Sequence, residues 1–244
     1  MINLIKYLIF DIFTFFYSNI IFQLENILLK EKFTKTQLTK CGYEKVKIKK
    51  TINYKKLKKK KLKVNKYFEK ILLDKKTIEN LIEKILIKND LAKKIYKITG
   101  FKYNINFILA YNTFYIPKAD EKKIWHSNIW HKDRAFSKNT LKLIIPLKNI
   151  KKNDGGIEIK SLNKKNKIYK MVANIDEIIL FKPNVCFHRA GNLKKKGHRS
   201  QMMFQLNPSL KWSFNQNLKL LQKKREPKFP IFDYIFSKQK VLDI

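Results

Sequence analysis

Apolar and polar positions change their period twice along the chain. Residues 2 to 22 are almost continuously apolar, with Lys6 and Asp11 as the charged exceptions. Asn3, Asp11, Thr14 and Ser18 recur there at roughly helical spacing, with Tyr7 filling the gap. They draw a narrow polar stripe down an otherwise apolar helix. The stretch has the length of a membrane span. Asp11 near its middle would cost about 2.5–3.5 kcal/mol in a bilayer. No small-residue cleavage site follows, which argues against a signal peptide. Residues 1–30 therefore carry three readings: a helix packed on the domain, a helix lying in a membrane interface, or a span.

From Tyr67 to Gly100 the pattern turns helical. Ile78, Leu81, Ile82, Ile85 and Leu86 fall at i, i+3, i+4, i+7 and i+8, one apolar stripe. Thr77 is the expected N-cap. A second helix is expected from Asp90, with Leu91, Ile95 and Ile98 on one face and Gly100 as its C′ residue. Before these helices, residues 45 to 66 hold the densest basic run, including Lys58 to Lys61. That run reads as an exposed loop or sheet edge. Residues 31–100 thus form a basic, helical N-terminal part.

After Gly100 the period shortens to two. Phe101–Ile116, Thr140–Leu147, Ile168–Ala173, Ile178–Phe181 and Ser200–Leu206 are rich in aromatic and β-branched residues and read as strands. Asn153-Asp154-Gly155-Gly156 is a turn signal between two of them. Short strands with no helical pattern between them suggest a small sandwich or barrel over residues 101–244. The tail from Trp212 has a weak helical stretch at Leu218 to Leu221, then Pro227 and Pro230 interrupt it. The last strand fixes a parity: if Arg199 points into a barrel, so do Gln201, Met203 and Gln205. Met202, Phe204 and Leu206 then face outwards and need covering by helices.

Composition changes this picture little. The 244 residues suit one domain, or one with an extension, and 44% of them are apolar, enough for a sizeable core. The formal net charge is +36. Lys, Ile and Asn are inflated together throughout, as AT-rich coding produces, so the charge reads as a solvated lysine surface. Nucleic acid is not an expected partner, because no aromatic platform interleaves the basic run for base stacking. Peripheral membrane contact through residues 1–25 stays open. Two cysteines, Cys41 and Cys186, make no disulfide framework, and a reducing, cytoplasmic setting fits, with membrane association as an option.

The chemistry sits in Trp130-His131-Lys132-Asp133, with Phe187-His188-Arg189 and Arg199 further on. His131 and Asp133 are two apart, so an extended segment puts both side chains on one face. His188 would complete two histidines and one carboxylate. That set holds one face of an octahedral ion and leaves the others open, as in non-haem Fe(II) oxygenases. A guanidinium at Arg199 would hold the far carboxylate of a cosubstrate on the metal. Alone, an H-x-D pair is weak evidence, and a surface histidine beside a carboxylate is the plain alternative. His198 alternates with Arg199 and is expected to point away from the lumen. His126 is expected to stand behind the ligands or at the entrance, or to be an ordinary surface histidine.

Together, Trp130-His131-Lys132-Asp133, Leu141 to Leu147, Asp154-Gly155-Gly156 and His188-Arg189-Ala190-Gly191-Asn192 with Arg199 resemble the phytanoyl-CoA dioxygenase-like family of Fe(II)- and 2-oxoglutarate-dependent oxygenases. The resemblance covers residues 101 to 210. It implies a mainly β protein with flanking helices, built on a double-stranded β-helix (jelly-roll) core behind an α-helical N-terminal part. It implies that His131, Asp133 and His188 bind iron and that Arg199 binds the 5-carboxylate of 2-oxoglutarate. Asn128 stands where related chains often carry a Gln, and is expected to contact the cosubstrate. The expected reaction hydroxylates a C–H bond of a small molecule or a lipid- or sugar-linked substrate, releasing succinate and CO2. A carboxylate at position 133 leaves no room for a halide, which favours hydroxylation over halogenation. The alternative is a non-catalytic, basic membrane-surface binding protein on a degenerate β-helix.

Overall fold

The computed structural model describes residues 12, 27, 36–49, 59–133, 137–163, 167–216, 221–222 and 239–244. But for Ile12 and Ile27, the apolar N-terminal helix expected over residues 1–30 lies outside these residues, as do Leu218 to Leu220 of the weak helical stretch. Among the described residues, no helix is long and apolar enough to cross a membrane.

The chain runs through α1 (Gln37–Cys41), β1 (Tyr43–Lys47), β2 (Lys59–Asn65), β3 (Phe68–Leu73), α2 (Lys75–Ile82) and α3 (Leu91–Thr99). It continues through β4 (Lys102–Phe114), β5 (Leu141–Pro146), β6 (Ile157–Lys160), β7 (Ile168–Lys170) and β8 (Glu177–Phe181). Then come β9 (His188–Ala190), β10 (His198–Ser209), β11 (Ser213–Asn215) and β12 (Gln239–Val241). Nine strands make one sheet in the order β1-β8-β5-β10-β4-β11-β12, with β3 also pairing along β4 and β2 outside β3. A second sheet of three strands has the order β7-β6-β9. Mainly antiparallel sheets packed face to face make the jelly-roll-like core expected for residues 101–210.

Period-two alternation places the two cores. Along β5, Leu141, Leu143 and Ile145 join the cluster under the helices, while Ile144 joins the cluster between the sheets. Along β8, Ile178 and Leu180 go to the first, Ile179 and Phe181 to the second. Met202, Phe204 and Leu206 of β10 are fully buried in the helix-side cluster. Ile78, Ile82, Ile85 and Leu86 cover that face, as their stripe predicts. A bulge at Asn106 shifts the register, so that Gln205 pairs Phe107 and Leu206 pairs Ile105. The extra residue lets Ile105 and Ile108, three apart, both reach the helix side.

Several local expectations shift. Asp74, rather than Thr77, caps α2, its carboxylate accepting from the Thr77 amide at 2.7 Å. The helix starts there because the aspartate is the first capping side chain after β3. Beyond α2 the stripe continues as a π-helical turn over Glu83–Ile87. Asp90 precedes α3 at φ 53° without a side-chain capping bond. Gly100 ends α3 at φ 77°, its amide donating to the Tyr96 carbonyl at 2.7 Å. Phe68–Leu73, expected within a helical region, is strand β3, paired with β4 from Phe68↔Thr113 to Ile71↔Ala110. β1 pairs β8 along its whole length. The boundary expected at residue 101 therefore cuts through one sheet, because strands from residues 43–73 supply part of it. The basic run falls partly on β2, where Lys60, Lys61 and Lys63 are exposed at a sheet edge.

Candidate metal centre

His131 and His188 face each other across an isolated antiparallel bridge. The His131 amide donates to the His188 carbonyl at 3.1 Å, and the His188 amide returns the bond at 2.9 Å. Two residues on, the Asp133 amide donates to the Pro183 carbonyl at 3.0 Å. The segment 131–133 thus runs extended beside the chain leaving β8, and both side chains fall on one face. The sheet brings together three residues that the sequence spreads over 58 positions, from 131 to 188.

One donor atom from each of His131, Asp133 and His188 lies within 4.8 Å of the others. Asp133 Oδ1 is 3.6 Å from His131 Nε2 and 3.6 Å from His188 Nε2. The opposite ring atoms are occupied: His131 Nδ1 donates to the Ile129 carbonyl at 2.8 Å, and His188 Nδ1 to the Cys186 carbonyl at 3.1 Å. A carbonyl only accepts, so each Nδ1 carries the proton and each Nε2 presents a lone pair. Burial first, then Lys142, pushes the His188 pKa down to about 4, so the ring is neutral at pH 7. At Asp133 burial raises the pKa, but Lys142 and the two histidines outweigh it and hold the carboxyl below its usual range. Two imidazoles and a carboxylate, converging and too far apart to hydrogen-bond, are a donor set that fits a divalent metal ion. The carbonyls behind the rings fix their orientation, as such sites require.

Lys142 is the feature that sequence reasoning missed. It sits on the inward parity of β5, is 7% exposed, and its Nζ forms an ion pair with Asp133 Oδ2. The signal was a single charged residue inside an otherwise apolar central strand.

Arg199 lies on the inner face of β10 and is 3% exposed. Its Nη1 donates to the Gly191 carbonyl at 3.2 Å and the Asp154 carbonyl at 3.4 Å. Its Nε and Nη2 are buried without a hydrogen-bond partner. The facing residue of β4 is Thr113, whose buried Oγ1 also lacks one, as does Oε1 of Gln201 next to it. Gln201 Nε2 donates to the Tyr111 hydroxyl. Unsatisfied donors on a buried guanidinium, beside the unpartnered Thr113 hydroxyl, suit a carboxylate. Alternation along β10 places these side chains as expected.

A cavity of about 610 Å³ opens at the triad. His131, Asp133 and Lys142 line it together with Tyr111, His126 and Gln205. Its remaining wall is largely apolar, with Trp125, Trp130, Phe107, Leu109 and Met203. Arg199 is not among the lining residues. It stands near enough to Tyr111 and His126 for its charge to act on both. Burial first and Arg199 second push His126 down to about 4.

The Asn128 side chain bonds within its own loop. Its Oδ1 accepts from the Trp125 amide at 3.0 Å, and its Nδ2 donates to the Lys123 carbonyl at 2.9 Å. The amide is spent on holding the loop that carries Trp125 and His126. His198 is exposed, as expected, beside Lys148 and the Phe114 ring. Arg189 pairs with Glu158 at 2.7 Å and lies over the Trp130 ring. Cys186 is buried, its thiol pushed up to about 11 chiefly by that burial, which marks a core residue.

No protein-family model matches the sequence, and no curated protein does. The fold is similar to that of one solved structure at a TM-score of 0.50, and two others follow below that level. The non-haem alpha-ketoglutarate-dependent epimerase SnoN of nogalamycin biosynthesis is 8% identical, with 76% of this chain and 83% of that one covered and a TM-score of 0.50. HygX of Streptomyces hygroscopicus, solved with nickel and 2-oxoglutarate, is 9% identical, with 74% and 89% covered and a TM-score of 0.48. EctD of S. alaskensis, solved with bound Fe, is 10% identical, with 70% and 74% covered and a TM-score of 0.47.

Proposed function

We propose that the protein is an Fe(II)- and 2-oxoglutarate-dependent oxygenase of the phytanoyl-CoA dioxygenase-like kind that hydroxylates a C–H bond. The observation that carries this reading is the convergence of His131 Nε2, His188 Nε2 and Asp133 Oδ1 with their lone pairs turned inwards. The fold shared with SnoN, itself described as alpha-ketoglutarate-dependent, is consistent with it.

Each part of the chain has a task. His131, Asp133 and His188 would hold the ion, and three protein ligands would leave it room for exchangeable ones. Arg199, with Thr113 beside it, takes the far carboxylate of 2-oxoglutarate, and a forked guanidinium does this better than a lysine would. Bound iron and 2-oxoglutarate would supply the oxidising power for the C–H bond, with release of succinate and CO2. Trp125, Trp130, Phe107 and Leu109 exclude water from that reaction and give a small-molecule substrate with an apolar body its contact surface. Asp133 would be the third protein ligand, and a carboxylate there favours hydroxylation over halogenation.

The purified protein supplied with Fe(II) and 2-oxoglutarate is expected to release succinate, slowly even without its substrate. Asp133→Ala and Arg199→Ala abolish that release, and Arg199→Lys does not restore it. Failure of the wild-type protein to bind either Fe(II) or 2-oxoglutarate overturns the reading. In that case the basic membrane-surface protein is the alternative, and it predicts vesicle binding unaffected by loss of His131 or His188.

A further inference from the structure

Two cations have a claim on one carboxylate in this site. Asp133 turns Oδ1 towards the two imidazoles, at 3.6 Å from each Nε2, and gives Oδ2 to the Lys142 ammonium. Its cross-strand neighbours, Gln205 on β10 and Phe181 on β8, are both uncharged. Lys142 also lines the cavity into which the open side of the triad faces. A buried lysine is costly unless its charge is matched. Here the match is the carboxylate that the metal would also use.

We infer that Lys142 is the internal counter-cation of the site, a positioning residue with two linked effects. Without metal it neutralises Asp133 and holds that carboxylate turned towards the histidines. With a divalent ion on Oδ1, the carboxylate's charge is shared between ion and ammonium. The ammonium then has positive charge to spare, and offers it to an anion entering the same cavity. Lys142 therefore weakens binding of the metal and strengthens binding of the anionic cosubstrate to the metal-loaded protein. It couples the two in that order. This rests on the metal-centre reading above, and it names a role for a residue that the triad and Arg199 do not cover.

The sign of the metal effect follows from both end states. Replacing Lys142 by a neutral side chain leaves Asp133 buried and unpaired in the metal-free protein, which a bound ion relieves. It also removes repulsion between ammonium and ion in the loaded protein. Both changes favour the metal. A residue that merely propped the carboxylate in place would give the opposite result.

The test is calorimetric titration of the full chain with Co(II), then titration of the Co(II)-loaded protein with 2-oxoglutarate. Lys142→Met is expected to bind Co(II) about fivefold or more tighter than wild type. The same variant is expected to bind 2-oxoglutarate about tenfold or more weaker. Lys142→Arg keeps the charge and stays close to wild type in both. Metal-free Lys142→Met melts at lower temperature than wild type, and Co(II) raises its melting temperature more than it raises that of wild type. Lys142→Gln serves as a second neutral variant should Lys142→Met fail to fold. Weaker Co(II) binding by the neutral variants overturns the inference, as does unchanged affinity for 2-oxoglutarate. If wild type itself binds neither probe, the oxygenase reading falls and this one with it. Binding by wild type without the opposed shifts removes this inference alone.

Discussion

Two histidines, His188 buried and His126 half-buried, give the metal-free protein a pH dependence with a definite sign. His126 and His188 are both pushed down to about 4, each chiefly by burial. In the unfolded chain both titrate at about 6.5. Between those values the unfolded state binds more protons, so stability is full above about pH 6.5 and falls as the pH drops towards about 4. Every tenfold loss of proton affinity on folding is worth about 1.4 kcal/mol per histidine. The melting temperature of the metal-free protein is expected to fall between pH 7 and pH 5. His126→Gln removes one of these groups and makes that fall shallower. An unchanged slope in that variant would show that His126 is not held neutral by the fold. Asp133 works against neither trend in this range, since its carboxyl is held below its usual value.

At the scale of elements, the Asp154-Gly155-Gly156 turn does more than reverse the chain. It lies backbone to backbone against Gly191 and Asn192, with the Gly191 amide donating to the Gly156 carbonyl at 3.2 Å. A Cβ on Gly156 would stand 1.8 Å from the Met171 carbonyl oxygen, which leaves glycine as the residue that fits. The two loops present the Asp154 and Gly191 carbonyls to Arg199 Nη1. The glycines therefore set where the guanidinium rests. Gly156→Ala is expected to destabilise the protein by about 1–3 kcal/mol through overpacking. It also weakens 2-oxoglutarate binding, while Co(II) affinity stays near wild type, because the triad is anchored by other backbone bonds. Paired titrations with the two ligands check this. Equal losses for both would mean that the turn supports the whole site rather than Arg199.

The whole molecule is less divisible than the change of period at Gly100 suggests. β1 closes one edge of the large sheet on β8, and β3 extends it along β4. The helices between β3 and β4 cover Met202, Phe204 and Leu206, all fully buried. A fragment of residues 101–244 would expose that apolar face and two strand edges. It is expected to be insoluble or to show no cooperative unfolding, whereas a chain that keeps residues 36–100 melts in one transition. Solubility and calorimetry of the two fragments test this. A cooperatively folded 101–244 fragment would restore the boundary that β1 and β3 argue against.

Side-chain period, the glycine that ends a helix and short-range spacing were legible without coordinates, because local geometry decides them; the N-cap was not, since Asp74 took the place expected of Thr77. The stripe from Ile78 to Leu86, the shared face of His131 and Asp133, and the inward parity of Arg199 follow from repeats of 3.6 or 2, and the left-handed Gly100 from the freedom of a residue without a Cβ. The tertiary structure alone decided what pairs over long distances: His188 across from His131, β1 and β3 within the sheet, Asn128 spent on its own loop, and Lys142 on the second oxygen of Asp133. Strand pairing joins segments whose separation along the chain leaves no trace in either one's own pattern. A lysine's meaning, in a chain with 55 basic residues, depends on whether it is buried and on what it meets there.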